Sequence, residues 1–309
     1  MLKRFPSIVS GLAVAVAIVL TGATRAMAEV TLELKFPEES KATLQSELSV
    51  DQTLTLAGQD IVTKSSTFAV STSSIGKRAE DGSLAVTDKV DVFQSELNIN
   101  GTKVQFDSAN PDKKADVPQL EPVLDIYRAI IKFPIAKTFD AKNKLIAAKL
   151  PEGEFEKLGD LAKEQFDPEK LKKATEQVLA FLPDGPVKEG ETWERSTESN
   201  LGSGQVMSFR TKYEYKGTVE QDGRKLDKIE GQAFEVSLAI NGNPMLQLTK
   251  SDLKIKESAS TILFDRERGH VVSRVSKVRI DGPLTLTING MELPGKVDLT
   301  MQEKGTRQK

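Results

Sequence analysis

The chain contains no cysteine. That excludes disulfide cross-links, thiolate metal sites and cysteine nucleophiles. It also excludes a lipoprotein-type N-terminus, which needs a cysteine to acylate. Histidine is almost as scarce, His270 being the only one. A zinc site would have to rely on carboxylates, against that ion's preference for nitrogen and sulfur ligands. A Ser–His–Asp triad would have to use His270. That residue follows Arg268-Gly269 at an expected hairpin turn, and no G-x-S-x-G accompanies it. We read it as a turn residue. One Trp and three Tyr are too few to line a sugar cleft. Acidic and basic residues are interleaved, so the basic stripe of a nucleic-acid binder and the polybasic segment of a membrane-docking protein are both missing.

One long apolar run is present. Ile8 to Leu20 is interrupted only by Ser10 and Gly11, preceded by Lys3-Arg4 and followed by Ala26-Met27-Ala28. Charge, apolar core and an A-x-A triplet in that order describe a secretory signal peptide over residues 1–28, cut after Ala28. The run is shorter than the roughly 20 residues a spanning helix needs. The expected mature chain of 281 residues starts at Glu29. Losing Lys3, Arg4 and Arg25 leaves 40 basic against 45 acidic residues, a net charge of −5. A periplasmic or secreted protein is expected, with no transmembrane segment after signal cleavage.

From Val30 to about Phe106 the apolar residues recur with period two. Leu44, Leu48, Val50, Leu54 and Leu56 alternate with Glu47, Ser49, Asp51, Thr53 and Thr55. One face is thereby committed to a core and the other to water, as in an antiparallel sheet. Further strands are predicted at Val62–Val70, Leu84–Leu97 and Ile99–Phe106, with turns at Asp81-Gly82 and Asn100-Gly101. The middle of the chain changes period. Leu120–Ile131 has helical spacing, Lys132–Phe139 and Lys144–Leu150 form a hairpin through Asp140–Asn143, and Phe155–Lys163 reads as a helix. Asp167-Pro168 is an N-cap followed by a first-turn proline. The helix after it carries Leu171, Ala174, Val178 and Phe181 or Leu182 on one stripe and ends at Pro183.

Period two returns after Trp193. Strands are predicted at Val206–Val219, Lys225–Ile240, Leu246–Phe264, His270–Ile280, Leu284–Ile288 and Val297–Met301. Asp222-Gly223, Asn241-Gly242, Asp281-Gly282 and Asn289-Gly290 are the turn signals. Apolar parity slips between Leu248 and Leu253, so a bulge or break is expected near Ser251-Asp252.

The expected fold class is α+β and β-rich: one or two large antiparallel curved sheets in two meander halves, with two to three helices packed between or against them. The expected layout is a β region at 29–118, a helical and hairpin connector at 119–185, and a second β region at 186–309. Residues 29–309 could equally form one domain.

No motif specifies chemistry. Gly290 to Lys296 matches G-x-x-x-x-G-K, but Val297 replaces the magnesium-binding Ser or Thr, Pro294 removes a backbone donor, and a strand should follow. The acidic clusters Glu38-Glu39, Glu152/Glu154/Glu156 and Glu189/Glu191/Glu194 lack the alternating oxygen ligands of a calcium loop. We read them as solvated surface. No catalytic or metal-binding residue and no cofactor is indicated, and ligand-binding residues are not identifiable. The sharpest local feature is Leu182-Pro-Asp-Gly-Pro186-Val187-Lys-Glu-Gly190-Glu-Thr-Trp193. We read it as a rigid connector that plants Trp193 in the core.

That connector resembles the P-x-x-P-V-x-x-G-[DE]-x-W segment of a family of exported bacterial proteins of unknown function. Tyr213-Glu-Tyr215-Lys-Gly217 with Asp222-Gly223, and Phe264-Asp265-Arg-Glu-Arg-Gly269, support the likeness. The resemblance implies a secreted β-rich fold and brings no catalytic residue. The half-barrel with a helical lid also resembles the periplasmic lipoprotein carriers, an analogy of fold alone. The function expected is a non-enzymatic envelope carrier, its apolar ligand, such as a lipid, lying between sheet and helices at 120–131 and 168–182. The alternatives are an interaction module for an envelope protein and, third, a carboxylate-based hydrolase.

Overall fold

The computed structural model describes residues 29–202, 205–240, 246–288 and 290–308. The expected signal segment, 1–28, and the expected turn at Asn241-Gly242 lie outside them. The strands are β1 (Ser40–Leu56), β2 (Gln59–Arg78), β3 (Leu84–Ile99), β4 (Thr102–Asp107), β5 (Ile135–Phe139), β6 (Leu145–Lys149), β7 (Thr192–Gly202), β8 (Gln205–Gln221), β9 (Arg224–Ile240), β10 (Leu246–Ser251), β11 (Lys254–Asp265), β12 (His270–Ile288) and β13 (Met291–Arg307). The helices are α1 (Glu121–Lys132), α2 (Asp160–Gln165) and α3 (Pro168–Leu179). None of these helices is long and apolar enough to cross a membrane.

All thirteen strands belong to one antiparallel sheet, ordered β6-β5-β3-β2-β1-β13-β12-β11-β9-β8-β7, with β4 on β3 and β10 on β12. The two β-rich stretches are therefore joined, through β1 and β13. The sheet does not close, because β6 and β7 are its edges and do not pair. Eleven strands at a spacing of about 4.8 Å would span roughly 50 Å if laid flat. Yet α3, a helix about 18 Å long, touches both β6 and β7. The sheet must therefore curl until one helix bridges its edges. At β7, the Gln177 side-chain oxygen accepts from the Glu198 amide and Lys173 pairs with the Glu198 carboxylate. Those contacts cover an otherwise unpaired edge.

Helix α3 begins as its sequence requires. Asp167 accepts from the amides of Glu169 and Lys170, each at 3.1 Å, and Pro168 occupies the first turn. Its last residue, Leu179, packs with Ile75, Leu84, Val86, Phe139 and Leu145, while Phe181, just beyond the helix, packs with Tyr215, Ile229, Ile262 and Phe264. Ile229, Ile262 and Phe264 are wholly buried, each worth about 1.5–3 kcal/mol of burial. A further cluster, centred on Ile280, Leu286, Val297 and Leu299, fills the inward face of β8, β12 and β13.

Four expectations need correction. The alternation from Val30 to Phe36 is not a sheet strand. This segment bridges to Val187 at Val30, buries Leu32, and stacks Phe36 on Phe139 at 4.6 Å, so it straps the β7–β9 sector to the β5–β6 hairpin. The helix expected at 155–163 splits into a 3₁₀ turn, Phe155–Lys157, and α2, because Leu158 and Gly159 are extended. Asp281-Gly282 is not a turn but lies inside β12, where the strand exchanges partners from β11 to β10. A Cβ on Gly282 would lie 2.1 Å from the Asp252 carbonyl oxygen, so only glycine admits the crossing chain there. The expected break is that crossing: the register shifts between Leu248 and Lys250, and β10 ends at Ser251. Finally, β2 runs on to Arg78, past the expected end at Val70.

Replacing Asp167 with Ala should lower stability by about 1 kcal/mol, read from the denaturant midpoint at constant slope. An unchanged midpoint would show that α3 does not depend on this cap.

Candidate functional site: a row of small residues across the sheet

Residues paired directly across antiparallel strands share a face. Followed through the register, one such row crosses ten strands: Trp193–Tyr213–Gly231–Ser260–Ser276–Glu303–Leu48–Thr67–Ser95–Phe106. It lies on the inward face, since Leu54 and Val50 of β1 and Val297 and Leu299 of β13 have the same parity and belong to the core. The ends are aromatic. Trp193 stacks on Tyr213 at 6.0 Å, and its Nε1 donates to the Phe181 carbonyl at 2.9 Å. Phe106 packs with Phe93 and Tyr127. Between these ends Gly231, Ser260, Ser276, Thr67 and Ser95 are small, Glu303 and Leu48 being the larger members, and the small ones are too short to meet across a curled sheet, so the row leaves space. Every member except Trp193 lines one of two cavities, of about 1120 Å³ and 220 Å³, which share Leu48, Ser276 and Glu303.

Gly231 is required within the row. A Cβ there would sit 2.8 Å from the Tyr213 ring and 3.3 Å from the Ser260 Cβ. Thr67 and Ser95 share a hydrogen bond of 3.3 Å, and Ser276 donates to Glu303 at 3.4 Å. Arg274 stands one row away, its Nε 3.7 Å from the Glu303 carboxylate. Leu44 and Leu48 are each 45% exposed on a face that is core elsewhere, which leaves apolar surface uncovered beside hydroxyls. The space between sheet and α1, where a ligand was expected, is instead filled by Phe93, Val104, Phe106, Leu124 and Tyr127. The open volume lies further along the sheet.

The three segments that carry the family resemblance converge next to this row. Gly190 donates to the Tyr215 carbonyl at 2.7 Å, and Tyr215 donates back to the Glu191 carbonyl at 3.0 Å. The Tyr215 hydroxyl donates to the buried Asp227 carboxylate at 2.6 Å, and the Arg266 Nε lies 3.4 Å from the other oxygen of that carboxylate. Burial, and then the Asp227 hydrogen bond, push the Tyr215 phenol up to about 12. The connector, the Tyr-Glu-Tyr strand and the Asp-Arg turn are thus one packing unit around Phe264.

His270 opens β12 opposite Asp265. Burial first, then Arg307, hold its pKa below the ordinary imidazole value. The acidic clusters are dispersed: Glu38 accepts from the Arg78 amide, Glu191 from the Lys188 amide, and Glu194 pairs with Arg210. Among the described residues no group of three His, Asp or Glu could hold a metal ion. The stretch from Gly290 to Lys296 enters β13, with Gly295 paired to Leu56 and Leu284.

Architecture and site together define a curled, unclosed antiparallel sheet with an inner cavity of mixed apolar and polar lining. Within it, residues 136–233, from β5 into β9, match the model of a family of unknown function, DUF6263. No curated protein matches the chain. Among solved structures, lipovitellin, studied for its lipid–protein interactions, is similar at a TM-score of 0.44 and 9% identity over 89% of this chain and 26% of its own. The chain therefore spans about a quarter of the lipovitellin chain. A Bacteroides fragilis protein described as exported, with a YmcC-like fold, gives 0.21 and 7% over 87% and 98%. DynF of Micromonospora chersina gives 0.19 and 8% over 90% and 85%. At these values none of the three bears on function.

In a phenolate absorbance titration Tyr215 should ionise near 12. Its folded pKa lies above the ordinary 10.0, so its contribution to stability is complete below that value and is lost as pH rises through about 12. Titration of Tyr215 at the ordinary phenol value in the folded protein would contradict the buried Tyr215–Asp227 pair.

Proposed function

We propose that this chain is an exported, non-enzymatic binding or carrier protein of the cell envelope, and that it holds an amphiphilic ligand against the inward row. The observation that carries the reading is the row itself. Its small hydroxylated members leave a cavity of about 1120 Å³, just above the usual range for small-molecule sites. A cavity bordered by exposed Leu48 and by Thr67, Ser95, Ser276 and Glu303 suits a ligand with an apolar body and a polar part. A purely apolar ligand would strip water from those hydroxyls and the carboxylate and leave them only their partners within the protein, Thr67 with Ser95 and Ser276 with Glu303. The cell-envelope address rests on residues 1–28. N-terminal sequencing of protein exported from a bacterial host should begin at Glu29, and a start at Met1 would remove that part of the reading.

Native mass spectrometry of the protein as purified should show bound species of lipid-like mass. After delipidation it should take up a fluorescent fatty acid saturably. No bound species and no uptake would refute the carrier function.

A further inference from the structure

Cations outnumber anions where the inward face borders the smaller cavity. Arg274 lines that cavity and pairs in register with Gly305, which gives its side chain room. Its Nε is buried without a hydrogen-bond acceptor, and the hydroxyl of Ser260, in the adjoining row, is likewise buried without a partner. The Glu303 carboxylate, 3.7 Å from Arg274 Nε, is close enough to pair but too far to hydrogen-bond. Arg307 lies two residues beyond Gly305 on the same face of β13, roughly 7 Å along the strand, and sits directly opposite Leu44. The acids on this side are engaged elsewhere, Asp265 with Arg268 and Glu303 with Arg274. Among the described residues Arg307 has no ion-pair partner. Burial, and then Arg268, lower its pKa. Asp265 is the carboxylate that acts on Arg307, without forming an ion pair with it, and buried donors without acceptors beside a partly desolvated cation are costly in a folded protein unless an acceptor meets them.

We infer that Arg274, Arg307 and Ser260 bind the acidic headgroup, a carboxylate or a phosphate, of an amphiphile whose apolar body lies on Leu44 and Leu48. The inference rests on the carrier reading above. Guanidinium groups present paired N–H donors that match the oxygens of both headgroups. Leu44 is the direct neighbour of Arg307, and Leu48 lies one strand across from Glu303, the partner of Arg274, so uncovered apolar surface adjoins both arginine rows along the β1–β13 contact.

Three competitors of equal chain length separate the possibilities: palmitic acid, hexadecyl phosphate and hexadecanol, each displacing one fluorescent probe at fixed pH and salt. The delipidated protein should prefer at least one of the two anions over the alcohol by about tenfold or more, and whichever anion binds tighter identifies the headgroup. Arg274→Gln with Arg307→Gln should abolish that preference, so that neither anion binds tighter than hexadecanol. Arg307→Lys, which keeps the charge, should retain much of it and controls for loss of fold. Binding of both anions no tighter than the alcohol by the unmodified protein, or a preference that survives the double substitution, would overturn the headgroup assignment alone. Failure of all three competitors and of the probe to bind would instead refute the carrier reading.

Discussion

Everything in this fold depends on the register in which the first long strand meets the last. β1 and β13 pair without interruption from Leu44–Arg307 to Leu56–Gly295, and that contact alone unites the strands before the helices with those after them. A slip of one residue would turn one strand's set outward relative to the other, either Val50 and Leu54 with Asp51 and Thr53 brought inward, or Val297 and Leu299 with Asp298 brought inward. The same register places Glu303 beside Leu48 and so makes the transverse row continuous. Core and cavity are two consequences of one pairing.

Much of this was legible locally. Alternation marked the inward parity of β1, and Asp167-Pro168 marked the start of α3. Asn100-Gly101 and Asp222-Gly223 marked hairpins, with positive φ at all four residues. The parity slip after Leu248 located the β10–β11 crossing. The Ala57-Gly58 turn escaped because alanine at φ 48° carries no turn signal. Asp281-Gly282 misled because its glycine serves a long-range approach rather than a turn. The Val30–Phe36 strap alternates like a strand, and only its tertiary partners distinguish it from one.

The site was not legible, for a different reason. Gly231, Ser260, Ser276, Thr67 and Ser95 are individually ordinary strand residues, and nothing within a short window sets them apart. Their meaning arises from alignment over ten strands, a property of pairing and not of any motif. The connector and the Asp-Arg turn, by contrast, drew attention in the sequence and prove to be packing. Gly190, Tyr215, Asp227 and Arg266 hold Phe264 and the strap in place beside the row. In this protein the conspicuous motifs serve the scaffold, and inconspicuous residues line the space.

The central claim is that the row leaves a volume a ligand enters, and filling that volume tests it most directly. Ser276→Phe puts a large side chain at the middle of the row, while Lys64→Phe puts the same side chain on the outward face, where Lys64 is exposed beside Asp51. With both variants folded, uptake of a fluorescent fatty acid should be lost in Ser276→Phe and kept in Lys64→Phe. Undiminished uptake by folded Ser276→Phe would contradict the account.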